Sequence, residues 1–588
     1  MRRFLSLLAG VLCAIPLAAQ ITLPPQIGDY MVLQQQAQVC LWGWAPPGGK
    51  VSVSTTWDKA GYTVTASSDG AWKVSVQTPE GSFQEQSIRI QCRGESRVLE
   101  HVLIGEVWMA SGQSNMEMPL RGFDNCPVEG GPQEIVQAGR YKGRIRFVTL
   151  PKTEAYSPCE RVDAVWKESL PEHAPEFGAA AWFFARNLTE ALDVPVGIIN
   201  NAWGGSRVEG WLPKEVVDAY PGLPVDSLEC RKIMLSMSRP TIMYYGQWCP
   251  VRNYTFKGIL WYQGEANVDQ DPDAYVDRME TLIDLWRKET GNPALPVYQV
   301  EIAPYALYGG AEALDGAVLR EHQWQVARET ENCWIASTAD LALPYESAQI
   351  HPARKREVGE RLSYLALHHT YGQEPFAGYA PEYASMDIIG SEVALSFSHL
   401  RESGGFNRLE GLQGFEICGP DLKWYPAQAH VRNFYNKVIV SHPEVDTPVA
   451  VRYAFRNWLP GNLSGANGLA VPPFRTDRLL EGEIPTGLSS EPDGDFTGHW
   501  TGEVNLPQMG DAHLVFDYRL SHDGNGRWTC RLPDGSVTPV SVNGRKMTGL
   551  SVQTGSVDLP IDLKSTDDGT VLVEIMGNPL TTLIREML

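Results

Sequence analysis

Four polar segments hold the residue types that acyl transfer needs. The first is Ala110-Ser111-Gly112-Gln113-Ser114-Asn115-Met116-Glu117, at the end of an apolar run from Val102 to Ala110. A serine in a glycine-containing turn between strand and helix exposes its Oγ, and its own N–H can face a developing oxyanion. Ser114 is therefore a candidate nucleophile. The simpler reading makes Ser114 a helix cap. The α/β-hydrolase elbow does not apply, because Met116 stands where that motif has glycine. The second segment, Asn200 to Trp211, contains Gly204-Gly205-Ser206-Arg207. Paired glycines after a strand let backbone N–H groups approach a ligand, or simply make a tight turn. The third, Trp261-Tyr262-Gln263-Gly264-Glu265-Ala266-Asn267, offers the Gln263 amide as an oxyanion donor or as a brace for the loop. The fourth is Gln349-Ile350-His351-Pro352. A helix beginning near Ala353 would put His351 at its positive end, where the neutral imidazole of a general base is favoured.

Such residues act only if the fold brings them to one edge. Apolar runs at Val102–Ala110, Val196–Asn200, Phe256–Tyr262, Leu295–Ile302 and Cys333–Ser337 read as strands. They alternate with helical patterns at Phe177–Leu192, Ala274–Thr290, His322–Thr330 and Lys355–His369. This alternation predicts an α/β doubly wound domain with a parallel sheet over residues 101–372, its ligand at the carboxyl ends of the strands. Residues 20–100 read as short strands with Gly-rich breaks, an N-terminal β-sandwich. Residues 373–480 return to β signals, and 481–588 form an additional C-terminal barrel or sandwich.

In this order, the four segments resemble the sialate O-acetylesterase family of the SGNH hydrolase superfamily. The similarity extends to Leu41-Trp42-Gly43-Trp44, Gly414-Phe415-Glu416-Ile417, Val451-Arg452-Tyr453 and Pro473-Phe474-Arg475-Thr476-Asp477, covering about residues 21–480. The resemblance implies a carbohydrate O-acetylesterase with Ser114 as nucleophile and His351 as general base. The oxyanion hole would comprise the N–H groups of Ser114 and Gly205 and the side chain of Gln263. It implies no cofactor and no metal. Many relatives carry Asp two residues before the histidine; this chain has Gln349, which can fix a tautomer but supplies no countercharge. Glu346 and Asp340 are the candidate substitutes. Losing the acid costs on the order of 10⁴ in rate in serine proteases, so a Ser–His dyad with an open question over the helper is expected.

Two substrates compete within this reading, acetylated sialic acid and acetylated plant polysaccharide such as xylan. A sialate site should place an arginine against the sugar carboxylate, and Arg207 and Arg121 lie nearest the motifs, with Glu265 as a further substrate contact. A different class, a glycan-binding protein with a decayed catalytic core, is motivated by Gln349 and the aromatic-rich β regions.

The 588 residues, 43% hydrophobic and 20% charged, describe several globular units rather than a disordered chain. A formal charge of −21 argues against nucleic acid as a partner. Met1-Arg2-Arg3, an apolar run to about Pro16 and Leu17-Ala18-Ala19 read as a signal peptide cleaved after Ala19, which points to a secreted or periplasmic protein with no membrane contact after cleavage. Nine cysteines follow Cys13 at irregular spacing, so neither a zinc site nor a disulfide scaffold is indicated. Bridges such as Cys40–Cys92 or Cys230–Cys249 would suit an oxidising compartment. The oligomeric state is not encoded in any of these features.

Overall fold

The structure, a computed structural model, describes residues 20–585 apart from 374–377, 433–435, 478–495 and short stretches beyond 506. The expected leader, 1–19, lies outside the described residues. At the centre stand six parallel strands: β1 (Glu95–Gly112), β2 (Ile145–Thr149), β3 (Val196–Ala202), β4 (Gly258–Tyr262), β5 (Val297–Val300) and β6 (Cys333–Ala336). Their order is β6-β5-β4-β1-β3-β2, with a short antiparallel strand, Trp166–Glu168, beside β2. The strands are apolar nearly throughout because helices cover both faces. Helix Ala179–Leu192 packs its Ala-Ala-Ala-Trp-Phe-Phe start into this core and lies against helix Lys355–His369. The two approach closely at Gly359, where a Cβ would stand 2.4 Å from the Ala180 carbonyl oxygen.

The chain leaves β3 on one side of β1 and reaches β4 on the other. This reversal opens a crevice at the carboxyl end of β1, the place where such sheets bind ligands. The register fixes its geometry: Gly112 of β1 pairs with Ala202 of β3 and with Tyr262 of β4. Three of the four polar segments therefore leave the sheet at one level. Gly112 has φ +123°, and a Cβ there would meet the Tyr262 carbonyl oxygen at 2.2 Å, so no other residue fits this crossing.

β1 is 18 residues long, and its first half belongs to the N-terminal sheets, where it pairs with Ser82–Cys92 and Val32–Gln34. The boundary expected at residue 100/101 thus falls inside one continuous strand. Residues beyond 378 build two four-stranded antiparallel sheets, and the last segment closes eight antiparallel strands into a barrel, with Trp500 pairing Arg585. The first of these modules braces the core: Arg320 donates to the carbonyls of Ala454 and Arg456, and the Gly461 N–H donates to the Ala339 carbonyl at 3.0 Å.

Two sequence expectations are corrected here. All nine described cysteines are free. Cys40 and Cys92 lie on strands of different sheets, and the Cys230 thiol donates to the Pro224 carbonyl at 3.2 Å. The last core helix runs from Lys355 to His369, the span its sequence pattern marks, so the start near Ala353 falls two residues early and His351 precedes the helix by a full turn instead of sitting on its N-terminus. Among the described residues, no helix is long and apolar enough to cross a membrane.

Candidate active site

Ser114 opens a one-turn helix, Ser114–Glu117, directly after β1. The Gln113 N–H is held by the Tyr262 carbonyl at 2.9 Å, which orients the turn. Its Oγ lies 2.9 Å from His351 Nε2, although 237 positions separate them in sequence. A hydroxyl donating to an imidazole nitrogen is the arrangement that activates a serine nucleophile. The half-buried histidine is carried by a loop whose closure falls to Glu346: its carboxylate accepts the N–H of Leu343 at 2.7 Å and of Ala353 at 2.9 Å. Asp340 forms a two-pronged pair with Arg361. Neither acid bonds the imidazole; each is already spent on the frame around it. Gln349 instead accepts the His351 backbone N–H through Oε1 at 3.2 Å.

The glycine turn after β3 folds onto the serine. A Cβ at Gly204 would stand 3.2 Å from Ser114 Cβ, and the Gly204 N–H donates to Glu117 Oε2 at 2.6 Å. Glu117 also pairs with Lys152 at 2.6 Å. Among the described residues, the N–H groups of Ser114 and Gly205 meet no protein acceptor. The third expected donor behaves differently. Gln263 is fully buried, and its Nε2 donates to Asn267 Oδ1 at 2.6 Å and the Ser206 carbonyl at 3.0 Å. Flipping the amide would set its oxygen against two acceptors, so the side chain braces the turn and its hydrogens are not turned to Ser114.

Three residues that the sequence did not single out join the segments. Asn115 is fully buried; its Nδ2 donates to Glu265 Oε1 at 2.5 Å and to the Ile350 carbonyl at 3.0 Å. Its Oδ1 accepts from Lys355 Nζ at 2.7 Å, and the same ammonium donates to the Pro352 carbonyl at 2.9 Å. One asparagine thus ties the nucleophile turn to the Glu265 loop and to both sides of His351. Lys355 is pushed down to about 7 by burial, while burial raises Glu265. The third, Cys126, lies beside His351 Nδ1. Asn115 was visible inside the Gly-Gln-Ser-Asn motif; nothing in the sequence distinguished Cys126.

His351 is pushed down to about 4 by burial and, secondarily, by the Lys355 charge. Both effects disfavour imidazolium, so the base form prevails above that value and is lost as pH falls through it. We expect kcat/KM for an aryl acetate to stay level from neutral pH down to about 5 and to fall only near 4. An acid limb at the ordinary imidazole value of about 6.5 would contradict this environment.

The expected sugar-binding arginines are both occupied. Arg207 pairs with Asp269 at 2.9 Å, and Arg121 with Glu176 at 2.8 Å. Arg207 and Glu265 line a cleft of about 490 Å³ together with Asp269, Tyr308 and Asp315, which sets three acids against one base. Glu265 Oε2 and the Tyr308 hydroxyl are buried there without a hydrogen-bond partner. Among the described residues, no group of three or more His, Cys, Asp and Glu side chains could hold a metal ion.

This arrangement of a serine, a histidine and a glycine turn at the crevice of a parallel sheet is that of an ester hydrolase. The comparisons agree. A family model described as carbohydrate esterase, sialic acid-specific acetylesterase, matches residues 104–368. A crystal structure of a carbohydrate acetylesterase from Xanthomonas citri is 32% identical, with a TM-score of 0.68 over 78% of this chain and 100% of that one. Sialate O-acetylesterases from Homo sapiens and Mus musculus are each 26% identical over 74% of this chain, covering 87% and 89% of their lengths. The chain belongs to the carbohydrate acetylesterase family and is a carboxylic ester hydrolase.

Proposed function

We propose that the protein has an SGNH-type core and removes O-acetyl groups from sugars through an acetyl-enzyme on Ser114. Ser114 Oγ attacks the acetyl carbonyl while His351 Nε2 takes its proton; the resulting oxyanion is met by the N–H groups of Ser114 and Gly205. Imidazolium then protonates the departing sugar oxygen. Water, deprotonated by the same nitrogen, attacks the acetyl carbon, and collapse of that adduct frees acetate and Ser114. The observation that carries this reading is the 2.9 Å contact between Ser114 Oγ and His351 Nε2 at the strand ends. A half-buried histidine held in its neutral form fits the base role and opposes the reading of a decayed, glycan-binding core.

The names of the relatives favour acetylated sialate as substrate. The neutralised arginines favour a second reading, a neutral acetylated glycan such as acetylxylan, because Arg207 is already paired with Asp269 and Arg121 with Glu176, leaving neither guanidinium free for a sugar carboxylate. Acetate release from O-acetylated sialic acid and from acetylated xylo-oligosaccharides separates them. On the sialate reading, Arg207→Ala raises KM for the sialate about tenfold and leaves aryl acetate hydrolysis unchanged. Turnover of the neutral oligosaccharide alone, with no effect of Arg207→Ala on its KM, establishes the second. No acetate from either, nor from an aryl acetate, refutes the esterase mechanism.

A further inference from the structure

The place next to His351 Nδ1, where an acid would orient the base, holds a sulfur atom. Cys126 Sγ lies 3.8 Å from Nδ1 and 3.3 Å from Gln349 Oε1. The segment that carries it is shaped around the imidazole. Phe123 and Cys126 exchange backbone hydrogen bonds of 3.0 Å in both directions, and the Phe123 ring stands edge-on to His351 at 5.2 Å between centroids. Gln349 fastens the segment from the other side, its Nε2 donating to the Asn125 carbonyl at 3.3 Å. The same Gln349 Oε1 that accepts from the cysteine also accepts the His351 N–H.

We propose that Cys126 is the positioning residue for the general base: its sulfur accepts the His351 Nδ1–H, its thiol proton goes to Gln349 Oε1, and a thiol–amide relay replaces the missing acid. The proton directions leave one consistent solution. Gln349 Oε1 can only accept, so the thiol donates to it and presents a lone pair to Nδ1. Nδ1 then keeps its hydrogen, and Nε2 is left as the acceptor that Ser114 requires. Such a relay fixes the tautomer and ring orientation, which a neutral partner can do, and brings no charge to stabilise imidazolium. The other charged groups around the imidazole are consistent with that. Lys355 is committed to Asn115 and the Pro352 carbonyl, Glu265 is shielded behind Asn115, Glu117 is taken by Lys152 and Gly204, and Glu346 is consumed by backbone N–H groups. The cysteine and Gln349 make a matched pair, and the relay rests on His351 acting as the base.

The test uses the full chain with Cys126→Ala, Cys126→Ser and Cys126→Asp. Cys126→Ala is expected to lower kcat about tenfold at unchanged KM, because the ring loses its orienting acceptor. Cys126→Ser, whose hydroxyl can accept and donate in the same way, should keep most of the activity. Cys126→Asp should raise the His351 titration midpoint by about one unit or more, since a carboxylate would now face Nδ1. That midpoint is read from hydrogen–deuterium exchange at the imidazole C2 position by mass spectrometry, which needs no turnover and so stands apart from the esterase reading. An unmoved midpoint in Cys126→Asp, or full kcat in Cys126→Ala, overturns the proposal. Should the aspartate variant fail to fold, methyl methanethiosulfonate on the unaltered chain replaces it. Capping of Cys126 with reversible loss of activity supports the relay, and capping with full activity refutes it.

Discussion

Ser114→Ala is expected to lower kcat for acetyl-ester hydrolysis about 10⁴- to 10⁶-fold, and His351→Ala to do nearly the same. The reason is geometric. Among the described residues, Oγ has one activating partner, Nε2 at 2.9 Å, and neither Glu346 nor Asp340 is free to replace it. Each residue is useless to the acyl step without the other, so the double variant should be no slower than either single one. The residual rate would come from the N–H groups of Ser114 and Gly205, which survive both changes. Single-turnover acetate release checks this. A serine variant that keeps a tenth of the activity would mean that water is activated directly and no acetyl-enzyme forms.

The second large effect is expected at a residue that touches no substrate. Lys355→Met removes the ammonium that joins Asn115 Oδ1 to the Pro352 carbonyl. Two buried acceptors are then left unpaired, a loss of about 3 kcal/mol in stability. The nucleophile turn and the histidine loop would no longer be held in common. A shift of about 1 Å between reacting groups costs on the order of 10² in rate, so kcat should fall by that factor. The variant also loses the cation that helps depress His351. Its acid limb should therefore move upward from about 4, and any loosening that readmits water to the imidazole adds to that shift in the same sense. Thermal unfolding and a pH–rate profile separate the two consequences. An unmoved acid limb together with wild-type kcat would show that Lys355 only fills space.

The alternation of apolar runs and helical patterns placed five of the six central strands and four of the covering helices, because strands buried on both faces read as continuous hydrophobic stretches. β2, Ile145–Thr149, escaped notice: it carries a buried Arg146 as its second residue, which breaks the apolar run. The helix at Asp315–Glu329 begins seven residues before the sequence pattern, since its first turns are buried through small residues, Gly316 and Ala317. Three motif segments were legible because each follows a strand, and strand ends converge; the fourth, Gln349–Pro352, was legible from the proline and the helix that comes after it. What lay beyond reach was the company kept by each polar group. Glu346 and Asp340 were reasonable helpers for His351 by type, but only the fold reveals that backbone N–H groups and Arg361 already hold them. Gln263 illustrates the same point, for donor chemistry says nothing about which acceptor wins. Cys126 is 225 positions from His351, in a segment with no periodicity to mark it.

The long first strand of the central sheet has a consequence for how this molecule can be divided. Its amino half is woven into the accessory sheets and its carboxyl half ends two residues before the nucleophile. Trimming the accessory region to obtain a minimal enzyme would sever the very ribbon that aims the reactive hydroxyl. The sugar-processing centre and its leading appendage are mechanically one piece, whereas among the described residues the terminal barrel shares no strand with the catalytic sheet.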